Sequence, residues 1–221
     1  MKVKLIGITK PATDSAEMFL PKDIISYCAR VSNPANQENY STADKLLSYC
    51  IKHQHWSVFE MVNVVIEIET TRDIARQILR HRSFSFQEFS QRYAEVQQMA
   101  APREARLQDT KNRQNSIEIV DEKDSNIKDE WERLQGFVVG AADHAYKWAI
   151  DNGLAKEVAR SVLPEGLTMS RMYVNGTLRS WITYCQVRMD ISTQKEHREI
   201  AEACWKILTQ EFKFLGDIYN G

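Results

Sequence analysis

Glycine is scarce in this sequence, 8 residues among 221, and no Gly-x-Gly-x-x-Gly run occurs. That excludes the glycine loop on which many proteins seat a dinucleotide phosphate. Cysteine is scarcer still: Cys28, Cys50, Cys185 and Cys204, with no C-x-x-C pair. The common zinc and redox spacings are therefore missing, and no metal site is expected. In a reducing compartment these thiols read as small buried hydrophobes. No apolar run approaches the roughly 20 residues of a membrane span. The opening stretch, MKVKLIGITKPATDS, lacks an adequate signal-peptide core. A cytoplasmic protein with no membrane partner is expected. The net charge is only −1. A broad positive field is excluded, and with it non-specific nucleic-acid binding. Any basic site has to be local.

What is present suffices for one core, since 43% of residues are hydrophobic. Residues 3–9 read as a strand. Residues 15–31 read as a helix broken at Pro21, with Ile24, Ile25, Cys28 and Val31 on one face. Ser41 and Asp44 resemble a capping box for a helix through about His53. Residues 60–70 form a β-rich run, followed by the helical pattern TRDIARQILRHR with Ile74, Ala75, Ile78 and Leu79 as its apolar stripe. Residues 103–130 are polar and nearly featureless, as expected of an exposed insertion within the domain. A long helix ending near Gly153, a short helix stopped by Pro164, a strand in LTMSRMYVNG and two further helices complete the chain. This order predicts an α+β fold: a helix-rich single domain, residues 1–221, around a small, mostly antiparallel sheet.

The chemistry concentrates in RHRSFSFQEFSQR, residues 80–92. Gln77 and Arg80 share a helix face, and Arg76 stands one turn before Arg80, a mild repulsion that an anion would relieve. If the chain runs extended after Arg82, then Glu88, Ser90 and Arg92 project to one side, with Phe84, Phe86 and Tyr93 as apolar backing. Guanidinium groups bind phosphate through two donors, and a glutamine amide both donates and accepts. The plainer alternative is a salt-bridged surface turn. The stretch itself supplies a single carboxylate, Glu88.

Arg80-His81-Arg82, seven residues and then Ser90 resemble the signature of flavin-dependent thymidylate synthases. HQHWSVFEM (53–61), ARQILRHR, EVARSVLP and NGTLRSWITYCQVR are similar to further segments of that family, in order, across residues 53 to 188. The resemblance implies reductive methylation of dUMP to dTMP. The carbon comes from methylenetetrahydrofolate, hydride from reduced FAD, and NADPH re-reduces the flavin. It also implies a homotetramer whose active sites are shared between subunits. By the same resemblance Ser57, Arg80, His81, Arg82, Glu88, Arg179, Thr183 and His55 are flavin or folate-region contacts. Gln77, Arg80, Glu88, Phe89, Ser90, Gln91, Arg92, Arg160 and Arg188 belong to the dUMP site. Arg188 is the arginine set against the pyrimidine. Thr183 departs from the histidine or asparagine usual at its position. Without a glycine loop, the FAD phosphates fall to the arginines. Arg179 and Arg188, nine residues apart, lie about half a turn apart around their helix. Such a helix can serve two pockets at a subunit interface.

Two other classes compete. A nucleotide- or RNA-binding module would call for a wider positive field and exposed aromatic platforms. A flavoenzyme that had lost the dUMP site would not need Gln77, Ser90, Arg92, Arg160 and Arg188 together.

Overall fold

The computed structural model describes residues 1–12, 18–97, 99–121 and 124–218. In chain order the elements are β1 (Lys2–Ile8), α1 (Pro21–Ala29), α2 (Ala43–Lys52), β2 (Asn63–Thr71), α3 (Arg72–Leu79), β3 (Ser85–Glu88), β4 (Arg106–Gln108), β5 (Ser116–Glu118), α4 (Ser125–Asp151), α5 (Lys156–Ala159), β6 (Met169–Thr177), α6 (Leu178–Arg188) and α7 (Lys195–Glu211). Four strands make an antiparallel sheet in the order β1-β2-β6-β3, and β4 with β5 forms a separate hairpin. The expected α+β class with a small antiparallel sheet is what folds.

The central pair β2–β6 explains the layering. Val64, Ile66 and Ile68 alternate with Val65, Glu67 and Glu69, so one face of β2 is fully buried. β6 answers in register, with Ile66 opposite Val174, Ile68 opposite Met172 and Glu69 opposite Arg171. The buried face is covered by helices, through Ile74 and Ile78 of α3, Trp181 of α6 and Ile200 and Leu208 of α7. Each such aliphatic side chain contributes about 1.5–3 kcal/mol on leaving water. Trp181 also donates its indole N–H to the Val64 carbonyl at 3.0 Å, fastening α6 to β2. Among the described residues, no helix is long and apolar enough to cross a membrane.

Several expectations are corrected. Pro21 does not break a helix; it opens α1, where its missing N–H is harmless. Residues 15–17 of the expected helix lie outside the described residues. Asp23 caps α1 by accepting from the Leu20 and Phe19 amides at 2.8 and 3.1 Å, and it is buried for that reason. Val31 falls beyond the helix end and is exposed. The Ser41–Asp44 capping box does not form: Ser41 donates to Asn39, and Asp44 pairs with Lys22 at 2.6 Å. Residues 103–130 are not featureless. They hold the β4–β5 hairpin and the first turns of α4, which begins at Ser125. Arg103 and Gln135 exchange two bonds that pin this segment to α4. The helix then ends as its sequence indicates, with Gly153 in the left-handed region at φ 76.

Gly176, on β6 opposite Val64, is where backbone and ring meet most closely. A Cβ there would collide with the ring of Phe84, itself buried between Trp181 and Tyr184. Gly176→Ala is predicted to destabilise the chain by about 1–3 kcal/mol through overpacking. The denaturant midpoint measures it, and an unchanged midpoint would refute the contact.

Candidate functional site

Helix α6 builds the site by gripping the segment 81–84 at three points. Its first turn is capped by Thr177, whose hydroxyl accepts from the Ser180 amide at 3.2 Å. Ser180 then reaches the Ser83 carbonyl at 3.3 Å. Its middle presents Trp181 and Tyr184, which enclose Phe84 at ring distances of 4.6 and 5.6 Å. Its last residue, Arg188, donates from Nε to Nε2 of His81 at 2.9 Å. The imidazole thus accepts at Nε2, so its proton sits on Nδ1. Burial first, then the charges of Arg188 and Arg80, depress the His81 pKa to about 4. At neutral pH a neutral base therefore orients Arg188. The guanidinium keeps its full charge, and its two NH2 groups face no carboxylate among the described residues.

Around this pair, Arg80 and Arg82 are exposed, and neither they nor the half-buried Arg160 forms an ion pair among the described residues. Arg76, by contrast, pairs with Glu165, and Arg92 with Glu157 at 3.1 Å. The relief of the Arg76–Arg80 repulsion thus comes from the chain's own Glu165. Glu88 is held by Ser170 at 2.7 Å and stands 3.6 Å from Arg72.

The extended course expected through Arg92 stops at Glu88. Ser90 opens a turn whose carbonyl accepts from the Tyr93 and Ala94 amides at 3.1 Å each. Glu88, Ser90 and Arg92 are therefore not an alternating row. Phe84 and Phe86 pack inward as expected, whereas Tyr93 is 82% exposed and backs nothing. Phe89 is also exposed. Gln91 is buried, and its Nε2 has no hydrogen-bond partner among the described residues.

The remaining predicted residues form the outer part of the arrangement. Ser57 and His55 lie exposed at the turn that follows α2. That helix closes with the His55 amide bonded to the Cys50 carbonyl and the Gln54 amide to that of Ile51, with Gln54 at φ 58. His55 thereby comes within 6.0 Å of the Tyr49 ring. Thr183 is exposed on α6. Arg179 is bonded to Glu60 at 3.0 Å, at the opposite end of α6 from Arg188.

Gln77 has both ends of its amide engaged, by Gln194 at 2.8 Å and His197 at 3.2 Å. Sequence reasoning missed this layer. Arg103, Glu196 and His197 carry no motif signal, and His197 sits where helical periodicity simply calls for a buried residue. As a set, the free guanidiniums, neutral imidazole and exposed hydroxyls fit a phosphate-bearing ligand. Three cavities, about 460 Å³ beside the β4–β5 hairpin and about 290 and 310 Å³ near Met169, the last also lined by Phe89, are not lined by Arg80, His81, Arg82 or Arg188.

The model of the thymidylate synthase complementing protein family matches residues 16–212. A probable flavin-dependent thymidylate synthase of Paramecium bursaria Chlorella virus 1 is 46% identical over 212 residues, covering 96% of this chain and 95% of the relative. The flavin-dependent thymidylate synthase of a Synechocystis species is 50% identical over 213 residues, covering 96% of each. Among solved structures, the UMP/dUMP methylase PolB of Streptomyces cacaoi, bound with 5-Br UMP, matches with a TM-score of 0.79 at 21% identity. That match covers 99% of this chain and 93% of that one, and it speaks for the fold.

A pH dependence follows from the buried His197 and the half-buried His81. His81 is lowered from 6.5 to about 4, and burial followed by Arg188 and His81 lowers His197 to about 3. The unfolded chain takes up protons that the folded chain refuses. The stabilising contribution is therefore complete above the unfolded pKa of 6.5 and is lost as pH falls towards the folded values. Urea midpoints should fall between about pH 6.5 and pH 5, and His81→Gln should flatten that slope. An equal slope in the variant would contradict the assignment.

Proposed function

We infer that this chain, which belongs to the thymidylate synthase complementing protein family, works as a flavin-dependent thymidylate synthase. It converts dUMP to dTMP with methylenetetrahydrofolate as carbon donor, FAD as flavin and NADPH as reductant. The observation that carries the site assignment is the Arg188–His81 pair, a guanidinium oriented by a neutral base and flanked by Arg80 and Arg82, which form no ion pair among the described residues.

The residue roles follow from charge and donor number. Arg188, set against the pyrimidine, stabilises the form of the ring deprotonated at N3, because an opposite charge lowers an acid's pKa. The more electron-rich ring is then the better nucleophile at C5, where the methylene joins. A carboxylate partner on Arg188 would cancel much of this effect, and a neutral histidine does not. Arg80 and Arg82, with His81 and the hydroxyls of Ser57 and Thr183, would hold the flavin nucleotide, and Glu88 would accept from it. Arg179 reaches it only by sharing or leaving Glu60. Ser90, Arg92, Arg160, Gln77 and the turn at Phe89 and Gln91 would hold dUMP, while His55 lies towards the flavin and folate side. Bound FAD supplies hydride chemistry that no side chain offers. The thiols are not used: burial raises the pKa of Cys50, Cys185 and Cys204.

The proposed assembly is a homotetramer with shared sites, in the cytoplasm. The open setting of Arg80 and Arg82 supports it. So does the apolar stretch exposed along α4, with Trp131 at 43%, Phe137 at 63% and Trp148 at 56%.

The decisive assay is dTMP formation from dUMP, methylenetetrahydrofolate and NADPH, with and without added FAD. No product in the complete mixture overturns the reading. Cys→Ala at each of the four cysteines should leave turnover intact. Arg188→Lys keeps the charge but loses the planar fork and the Nε donor. It should retain FAD and weaken dUMP binding and methylation by about ten- to a hundredfold, the worth of one charged hydrogen bond. Arg179→Lys should lose FAD first. Flavin absorbance and its perturbation by dUMP separate the two. If both variants lose the same ligand equally, the division of roles along α6 is wrong.

A further inference from the structure

A row of polar groups runs through the interior from α7 to α6 by way of α3. Glu196, at the start of α7, is held by Arg106 at 2.6 Å and Arg103 at 3.2 Å. Burial pushes its pKa up, but hydrogen bonds from Arg106 and Gln194 and the charge of Arg103 more than offset this and leave it lowered. It is therefore an ionised carboxylate that can only accept. Gln194 must then present Nε2 to it, at 3.0 Å, which leaves its Oε1 facing Gln77. Gln77 must in turn present Nε2 to Gln194, at 2.8 Å, and its Oε1 meets Nδ1 of His197 at 3.2 Å. His197 must donate there. Its bare Nε2 then accepts from the Tyr184 hydroxyl at 3.2 Å. One carboxylate thus fixes the direction of every bond as far as Tyr184, and aligned bonds of this kind strengthen one another. His197 is 0% exposed and Tyr184 2%, so no water can exchange with either.

This order decides what Gln77 offers. One hydrogen of its NH2 group is spent on Gln194, and its carbonyl is engaged by His197. The second hydrogen of Nε2 is left. A free glutamine could turn over and show an acceptor, but this one is locked as a donor.

We propose that His197 is a positioning residue that locks the Gln77 amide so that it presents an N–H group to an acceptor oxygen of the nucleotide. The proposal rests on the reading of Gln77 as a dUMP contact. It names a residue outside every motif of the site, acting across the α3–α7 contact.

The test is a double-mutant cycle on the FAD-loaded, full-length protein, with dUMP binding measured by calorimetry. His197→Phe fills the same space without polar atoms. It should raise the Kd for dUMP about three- to tenfold, the worth of one neutral hydrogen bond. The KM for dUMP should rise while kcat holds. His197→Asn restores a donor near the Nδ1 position and should recover most of the affinity. In a Gln77→Ala background, His197→Phe should have no further effect, because the two residues act as a unit. Additive losses, or His197→Phe binding dUMP like the parent, would overturn the proposal. If His197→Phe does not fold, imidazole ¹⁵N shifts of the unaltered protein decide: a bare Nε2 and a protonated Nδ1 are required, and the other tautomer refutes it. Absence of dUMP binding by the unaltered protein would instead count against the nucleotide reading itself.

Discussion

The guanidinium of Arg103 is the point at which otherwise separate segments meet. It donates to Thr71 at the end of β2, to Asp73 at the start of α3, to the Gly166 carbonyl before β6, and it pairs with Glu196 at the start of α7. Its backbone carbonyl accepts from Trp131 and Gln135 of α4. Removing such a cation would strand two carboxylates, Asp73 and Glu196, of which only the second keeps another cation in Arg106. Uncompensated charge is among the costlier changes a folded chain can suffer. Gln194 and Gln77 are aimed by the carboxylate that Arg103 and Arg106 hold, so the aim of the proposed nucleotide contact begins at a residue remote from the signature.

From that anchor the design divides along α6. The helix body is apolar and buried, through Leu178, Trp181, Ile182 and Cys185. Its polar work falls to the ends, to Tyr184 and to the indole N–H that Trp181 gives to Val64. The N-terminal end carries Ser180 to the loop at Ser83, and the C-terminal end carries Arg188 to His81. Both interior partners on this route are histidines kept neutral by burial and nearby arginines. A neutral imidazole can direct a guanidinium or an amide without cancelling its charge, which a carboxylate cannot do. The choice of histidine over aspartate at these two places keeps Arg188 available to an anion.

Much of the fold was legible because its elements have clean periods. The alternation in β2 and β6 and the stripe of α3 are decided by side chains that must leave water, and the structure follows them to within three residues at the element ends. Pairings between distant segments were not legible. Nothing local announces that Arg92 meets Glu157 or that Arg76 meets Glu165, yet these contacts decide which arginines stay free. The hairpin of β4 and β5 has three residues per strand, too few for a period to declare itself. Pro21 reads as a breaker because its ring forbids a helix interior, yet the same ring suits a first turn. His197 was invisible for a different reason: a buried histidine on a helix face carries the pattern of any core residue.

Arg80 and Arg82, which form no ion pair among the described residues, stand on either side of His81, and their common sign has consequences. Their mutual repulsion is tolerable because both are exposed, where water and salt screen it. A phosphate settling between them would remove the repulsion as well as gain hydrogen bonds. Burial first, and then the charges of Arg188 and Arg80, depress His81, which keeps that imidazole neutral and able to hold Arg188. Anion binding and the orientation of Arg188 are therefore coupled through one ring. An arriving anion would offset only the part of that depression that the arginines cause, and burial would go on holding the imidazole neutral. A doubly protonated ring could no longer accept from Arg188, so the pair can operate only while the protein field holds the imidazole neutral, and the depth of that depression is what leaves room for an anion beside it.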